Sequence, residues 1–482
     1  MIGQDGKAMI AATIGTILFM ELLIFGGWGI AVPIAVISYY ILIFWQSKML
    51  KIEQDIKNNI LLIPIVMTAL CFMFFDNALL KFFNILFLYG LIVLHTSQQF
   101  GINSYNPLSF RWFLEIIPVG LFMPIKNISK PINIINETIK ARSKESNKIF
   151  LKIAIGLVIG FPIVFIATLL LMNTDAAFNG VIELISNKFN FDLTWILQRL
   201  ICFVIIFFPL NGFFYTIRNK RESVDEQKER SKNIKFDFII VVTIASFLCV
   251  VYMIYCLSQL TYFISAFKGI LPSDYTFAAY ARKGFFECIP LGGINLILII
   301  VLTMFTNAEE NKKRSFTING FAFYLIAFTL FLVISAFSKM WLYINAYGIT
   351  IMRVYVSWFL ILGCIALVLI GIKTFYNQFK LTKNLFIIFT IMFLGLNYAN
   401  IDYRIGEYDA QLYETGQVNT IGAFDDLSVS ALEPLIRISI IDKNSKAIIN
   451  EYKNRVYEER TWQEWNYANY KGREIIDKVM TK

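Results

Sequence analysis

Residues 218–264 decide the fold. They read RNKRESVDEQKERSKNIK at 218–235, followed without a break by FDFIIVVTIASFLCVVYMIYCLSQLTYFI at 236–264. The first part concentrates Arg218, Lys220, Arg221, Lys228, Arg230, Lys232 and Lys235. The second is apolar and longer than the roughly 20 residues a helix needs to cross the hydrocarbon of a bilayer. Inside lipid the backbone must find its hydrogen-bond partners within the segment, which a helix achieves. A basic loop beside such a run stays on the cytoplasmic side. This stretch therefore predicts one span and its direction.

The same pattern recurs along the chain. Eleven runs read as spans, at roughly 8–25, 27–46, 60–76, 79–97, 149–172, 193–217, 236–264, 286–306, 316–337, 350–372 and 384–402. Lysine and arginine cluster in 47–59, 98–148 and 218–235, then at Lys312, Lys313 and Arg314, and at Lys373, Lys380 and Lys383. An eleven-span count puts all five groups on one side and the loops poor in positive charge on the other. The reading is N-terminus inside and C-terminus outside. The first two runs form a hairpin through Gly26-Gly27-Trp28-Gly29, and the first run reads as a retained span rather than a cleaved signal.

Composition agrees. The 482 residues are 57% hydrophobic and only 16% charged, with mean hydropathy +0.61. One soluble core cannot hide that much apolar surface. The net charge of +10 is explained by loops facing anionic lipid, and no basic-aromatic array argues for a nucleic-acid partner. The six cysteines lie in or beside apolar runs and form no CxxC pair, so they read as small buried hydrophobes. No phosphate loop, HExxH or GxSxG is present, and a single histidine, His95, builds no metal site or triad. No metal or cofactor is expected. His95 itself reads as a snorkelling or satisfied polar residue.

Two domains follow from this: a polytopic transmembrane domain at 1–402 and a soluble helical tail at 403–482, outside. Within the first, 98–148 is too long for a simple loop. Leu108–Ile125 reads as a re-entrant or interfacial helix broken by Pro118 and Pro124, and 130–148 as a basic surface helix. The tail has a soluble composition and ends in Trp462, Trp465, Tyr467 and Tyr470.

Charges inside spans are expensive in lipid and usually face a protein interior. Glu21, Arg199, Glu287 and Arg353 are of this kind, with Arg282 and Lys339 at span edges. On the predicted topology all six lie in the outer half of the membrane. They predict a polar pocket open to the outside, roofed by the tail. The competing reading is interfacial snorkelling with structural ion pairs such as Glu287 with Arg353. Two segments hold most of the group: YARKGFFE at 280–287 and KMWLYINAYGITIMR at 339–353, which adds Tyr343 and Tyr347. In the second, Gly348 permits a backbone break and Thr350 is placed to cap the next helix.

These segments resemble a bacterial multi-pass membrane family known as domain of unknown function 4173, close to its relative 4153. Tyr280, Ala281, Arg282, Gly284, Phe285, Phe286 and Glu287 match one family stretch. Tyr343, Ala346, Tyr347, Gly348, Thr350 and Arg353 match the other. Looser likenesses follow at Asn397–Leu412 and Trp462–Asn466, so the resemblance covers roughly residues 10–470. It implies the multi-span fold and marks residues. The family has no established activity, so it supplies no reaction.

The functional reading is an integral membrane protein of the cell membrane that transports a small or lipidic solute through an outward-facing polar pocket. An envelope enzyme acting on a lipid-linked substrate at the outer face is the alternative. It would require a carboxylate among Glu21, Asp76, Asp175 and Glu287. A sensor or regulatory scaffold is the third reading. With no catalytic motif, the balance leans away from an enzyme.

Overall fold

The computed structural model describes residues 4–52, 58–103, 105–134, 193–218, 236–267, 275–306, 312–417, 422–439 and 445–480, with scattered positions between 156 and 180. Among these the regular elements are all helical, and one isolated bridge joins Phe236 to Thr306. Nine of the described helices are long and apolar enough to cross a membrane. The chain is an all-α, multi-pass membrane protein. The run expected at 60–76 is a shorter helix, Leu62–Phe74, entered through a tight turn at Asn58–Leu61. The run expected at 149–172 and the basic helix expected at 130–148 lie largely outside the described residues.

The chain forms two compact units. The first comprises residues 1–74, 81–229 and 459–467. It contains α1 (Gln4–Phe19, continuing into a π turn at Met20–Ile24), α2 (Ala31–Met49), α3 (Leu62–Phe74) and most of α4 (Ala78–Gln99). It also holds α5 (Phe110–Leu114), α6 (Met123–Lys126) and α7 (Leu193–Arg218). Ala12, Ile43, Val93, Phe100, Val119, Phe214 and Ile217 build its core. Residues 110–126 are a broken helix with Trp112 and Val119 buried on one face. The other face exposes Phe110, Leu114, Ile117, Leu121 and Ile125 at helical spacing. This segment packs tightly on α7: a Cβ on Gly212 would sit 2.3 Å from the Pro124 carbonyl oxygen.

The second unit comprises residues 75–80, 230–458 and 468–482. Its spans are α8 (Phe238–Phe267), α9 (Phe277–Met304), α10 (Lys312–Tyr347), α11 (Ile351–Phe375) and α12 (Leu381–Tyr398). Two of them outrun the hydropathy signal. Helix α9 starts at Phe277 because the Thr276 hydroxyl accepts from the Ala279 amide at 3.2 Å, an N-cap that admits two charged turns before the apolar run. Helix α10 has 36 residues, about 54 Å at 1.5 Å per residue, well beyond the roughly 30 Å of hydrocarbon. So 339–347 completes α10 instead of preceding a span. Inside the bundle, Tyr252 donates to Asn295 at 2.7 Å and Asn295 to Thr329 at 2.9 Å, tying α8, α9 and α10 together.

The tail contributes α13 (Ile401–Glu414), α14 (Leu432–Ser439), α15 (Ser445–Tyr457) and α16 (Tyr467–Met480). Phe424, Leu427, Leu432, Leu435, Tyr452 and Val456 make it a core of its own. The buried Tyr452 hydroxyl donates to the Phe424 and Leu427 carbonyls at 2.8 and 3.1 Å. Ile349, Ile351 and Val354 pack against this core, so the tail rests on the α10–α11 connection.

Candidate functional site

The second unit holds a cavity of about 920 Å³ where α9, α10 and α11 meet the tail and the 76–79 loop. Its wall is chemically divided. Phe285, Phe286, Met340, Ile351, Met352 and Val356 supply an apolar surface. Arg282, Arg353 and Arg455 face the same space, as do Asp76, Asp402 and Asp426.

Asn77 organises the acidic side. It caps α4, its Oδ1 accepting from the Leu80 amide at 3.0 Å. The same oxygen accepts from the Tyr355 hydroxyl at 3.0 Å, and Nδ2 donates to Asp402 Oδ1 at 2.8 Å. Asp402 is 3% exposed, and no described cation lies within ion-pair distance of it. Burial pushes its carboxyl above the ordinary range, against the hydrogen bonds that oppose the shift. Next to it, Asp76 accepts from Asn469 at 2.9 Å.

The α10–α11 turn organises the basic side. Gly348 has φ +76°, which ends α10, and Arg353 Nη1 donates to the Tyr347 and Gly348 carbonyls at 3.0 and 2.6 Å. The guanidinium stacks 3.9 Å from the Tyr343 ring centre. Asp409 Oδ1 accepts from the Ile349 amide at 2.9 Å. Thr350 stands at the N-cap position of α11, but its hydroxyl makes no cap bond, and Asp409 holds the turn one residue earlier, at Ile349. Burial raises Asp409 to about 6, against the Ile349 hydrogen bond and the Arg353 charge.

Of the eight residues expected in a pocket, Arg282, Tyr343 and Arg353 line this cavity. Lys339, Glu287 and Tyr347 lie beside its wall. Lys339 is buried, its ammonium 4.9 Å from the Tyr280 ring centre. Its stem passes where a Cβ on Gly284 would meet Cδ at 2.7 Å, which accounts for that glycine. Glu287 does not pair with Arg353. It accepts from Tyr255 at 3.3 Å and has Lys283 at 4.0 Å. Tyr347 packs edge-on against Phe277 and Tyr343.

Glu21 and Arg199 belong to the first unit and pair with each other there. Arg199 Nε and Nη2 donate to the two Glu21 oxygens at 2.9 and 3.2 Å. The guanidinium lies 3.9 Å from the Trp195 ring centre and 4.4 Å from that of Phe25. This is a stacked, bidentate structural pair. Single changes Glu21→Gln and Arg199→Gln should each lower the melting temperature, and the double variant should lose less than their sum. Additive losses in that cycle would remove the pairing as a stabilising contact.

His95 is fully buried and does not snorkel. Its Nε2 lies 3.5 Å from Asn59 Oδ1, and Nδ1 has no partner. Charge patterning missed the cavity residues Asn77, Asp402 and Arg455, and Asp409 at the adjoining turn. Asn77 and Arg455 sit in ordinary-looking loop and tail sequence. Asp402 and Asp409 fall in the Asn397–Leu412 stretch, so the family likeness was the one signal pointing at them.

Among the described residues no group of three or more His, Cys, Asp or Glu side chains is placed to hold a metal. No curated protein and no solved structure matches the chain. One family model does, over residues 62–438, which takes in every cavity residue except Arg455. The match is to the relative 4153 rather than to 4173 itself. With well over half its length covered by that model, the chain belongs to the family described as Domain of unknown function (DUF4153).

Proposed function

We propose that this membrane protein binds a lipidic or similarly amphiphilic solute in the cavity of its second unit, for transport. The divided wall carries the reading: an apolar surface from the spans beside arginines and carboxylates from the turn and the tail. Such a wall suits a molecule with an apolar body and a polar head. Arg282 and Arg353 make no ion pair among the described residues and keep donors for that head.

The cavity then opens on the outer face of the cell membrane. In an eleven-span count the loops at 76–78 and 347–350 share one side with the tail. Contacts of Asp76 with Asn469 and of Ile349 with Asp409 support that assignment. The lysine and arginine bias makes this side external.

Native mass spectrometry of the purified chain tests the binding. An amphiphile should copurify with wild type, and its occupancy should fall at least about tenfold in Arg282→Gln with Phe286→Ala, one lost charge contact plus one lost aromatic ring. Equal occupancy in both proteins would end the reading. One observation favours the enzyme alternative: a buried carboxyl, Asp402, faces the cavity with its titration raised, as a general acid or base requires. If wild type converts the bound molecule and Asp402→Asn only retains it, the function is catalytic and transport is wrong.

A further inference from the structure

We infer that residues 461–467 sit in the headgroup layer of the bilayer, beside the first hairpin. The hairpin between α1 and α2 is only a few residues long and joins two membrane helices, so it lies at the membrane surface by construction. The tail segment is fastened to it. The Ile30 amide donates to the Trp465 carbonyl at 2.9 Å, and the Thr461 hydroxyl to the Gly26 carbonyl at 2.7 Å.

The glycines exist for this contact. Gly27 has φ +91°, and a Cβ there would lie 2.3 Å from Glu464 Cγ. A Cβ on Gly29 would lie 2.4 Å from the Glu464 carbonyl carbon, a main-chain atom that cannot step aside. Residues 463–465 thus lie directly on the hairpin backbone.

What the segment leaves uncovered is aromatic. Trp462 is 60% exposed, Trp465 40% and Tyr467 49%, with Trp28 of the hairpin at 46%. Trp195 is 51% exposed, and its partner Arg199 stacks on Phe25 at the mouth of the same hairpin. Indole and phenol rings, apolar with one polar edge, are most stable at headgroup depth. In water, such exposed rings would be a liability. The fixed height of the hairpin decides for the bilayer over a soluble partner.

The test uses full-length protein in vesicles and takes the tryptophan emission of wild type minus that of Trp462→Phe with Trp465→Phe. Lipids brominated near the headgroup should quench most of this difference signal, lipids brominated near the bilayer centre should quench it less, and aqueous iodide should quench it only partly. A signal that iodide quenches fully and bromolipids leave intact would place the segment in water. A signal that neither reaches would mean protein covers it. Either result overturns the inference. Gly29→Ala, which pushes on the Glu464 main chain, should cut quenching by the headgroup-brominated lipid. Unchanged quenching in that variant, with the protein still folded, would show that the hairpin does not position the segment.

Discussion

Asn77→Asp is expected to destabilise the second unit by about 3 kcal/mol at neutral pH, and adding Asp402→Asn is expected to restore most of it. The substitution keeps the α4 cap, because a carboxylate oxygen accepts from the Leu80 amide as well as an amide oxygen does. It keeps an acceptor for the Tyr355 hydroxyl for the same reason. It removes only the donor to Asp402 and puts a second carboxylate within 2.8 Å of the first, both sites being nearly sealed from water. Two such groups cannot both ionise, so the pair must take up a proton. Each pH unit by which that uptake lies above neutrality costs about 1.4 kcal/mol. The single variant should therefore regain stability on acidification. The double variant reverses donor and acceptor across the same contact, needs no extra proton, and should lack the single variant's recovery on acidification. Thermal melts of the four proteins of this cycle in one detergent decide it. If the double variant is no better than Asn77→Asp, the contact is not the reason for the loss.

Asn77 also shows where sequence reading stops. Spans were legible because hydropathy is local: nine of the eleven expected runs coincide with long helices. Ionic residues in apolar runs were legible as anomalies. Their partners were not, because Glu21 and Arg199 are separated by 178 positions and either could have met any other charge. A lone amide in a short loop gave no signal at all. Asn77 holds α4, α11 and α13 together through three hydrogen bonds, yet in sequence it is one asparagine in a short loop. The 339–353 stretch was legible as a break at Gly348, whose conformation excludes most other residues. That the break is held by Asp409 from the tail depends on how α13 folds back, a tertiary fact with no periodicity to announce it.

That turn carries the second large effect. Gly348→Ala should cost about 2–4 kcal/mol and lower the occupancy of any cavity ligand. Part is the positive φ of +76°, which disfavours any Cβ by about 1 kcal/mol. The rest arises because the new Cβ would lie 2.7 Å from Asp409 Oδ1, pushing away the oxygen that accepts from Ile349. Asp409→Asn tests the same contact from the other side, since it keeps an acceptor and removes the charge. Asp409 has its folded value raised from 3.8 to about 6, a burial penalty on the order of 3 kcal/mol once the group is ionised. A carboxyl raised on folding contributes its stability below the unfolded value and loses it as pH climbs through the folded one. Asp409 thus favours the fold more at pH 5 than at pH 8, and Asp409→Asn should remove that contribution and gain most at pH 8. Some slope should remain, because Asp402 is raised in the same direction. Glu474, held down to about 2 by hydrogen bonds from Lys478 and Lys471, is silent over this window. A variant whose slope from pH 5 to pH 8 matches wild type would mean that Asp409 is not the buried titrating group.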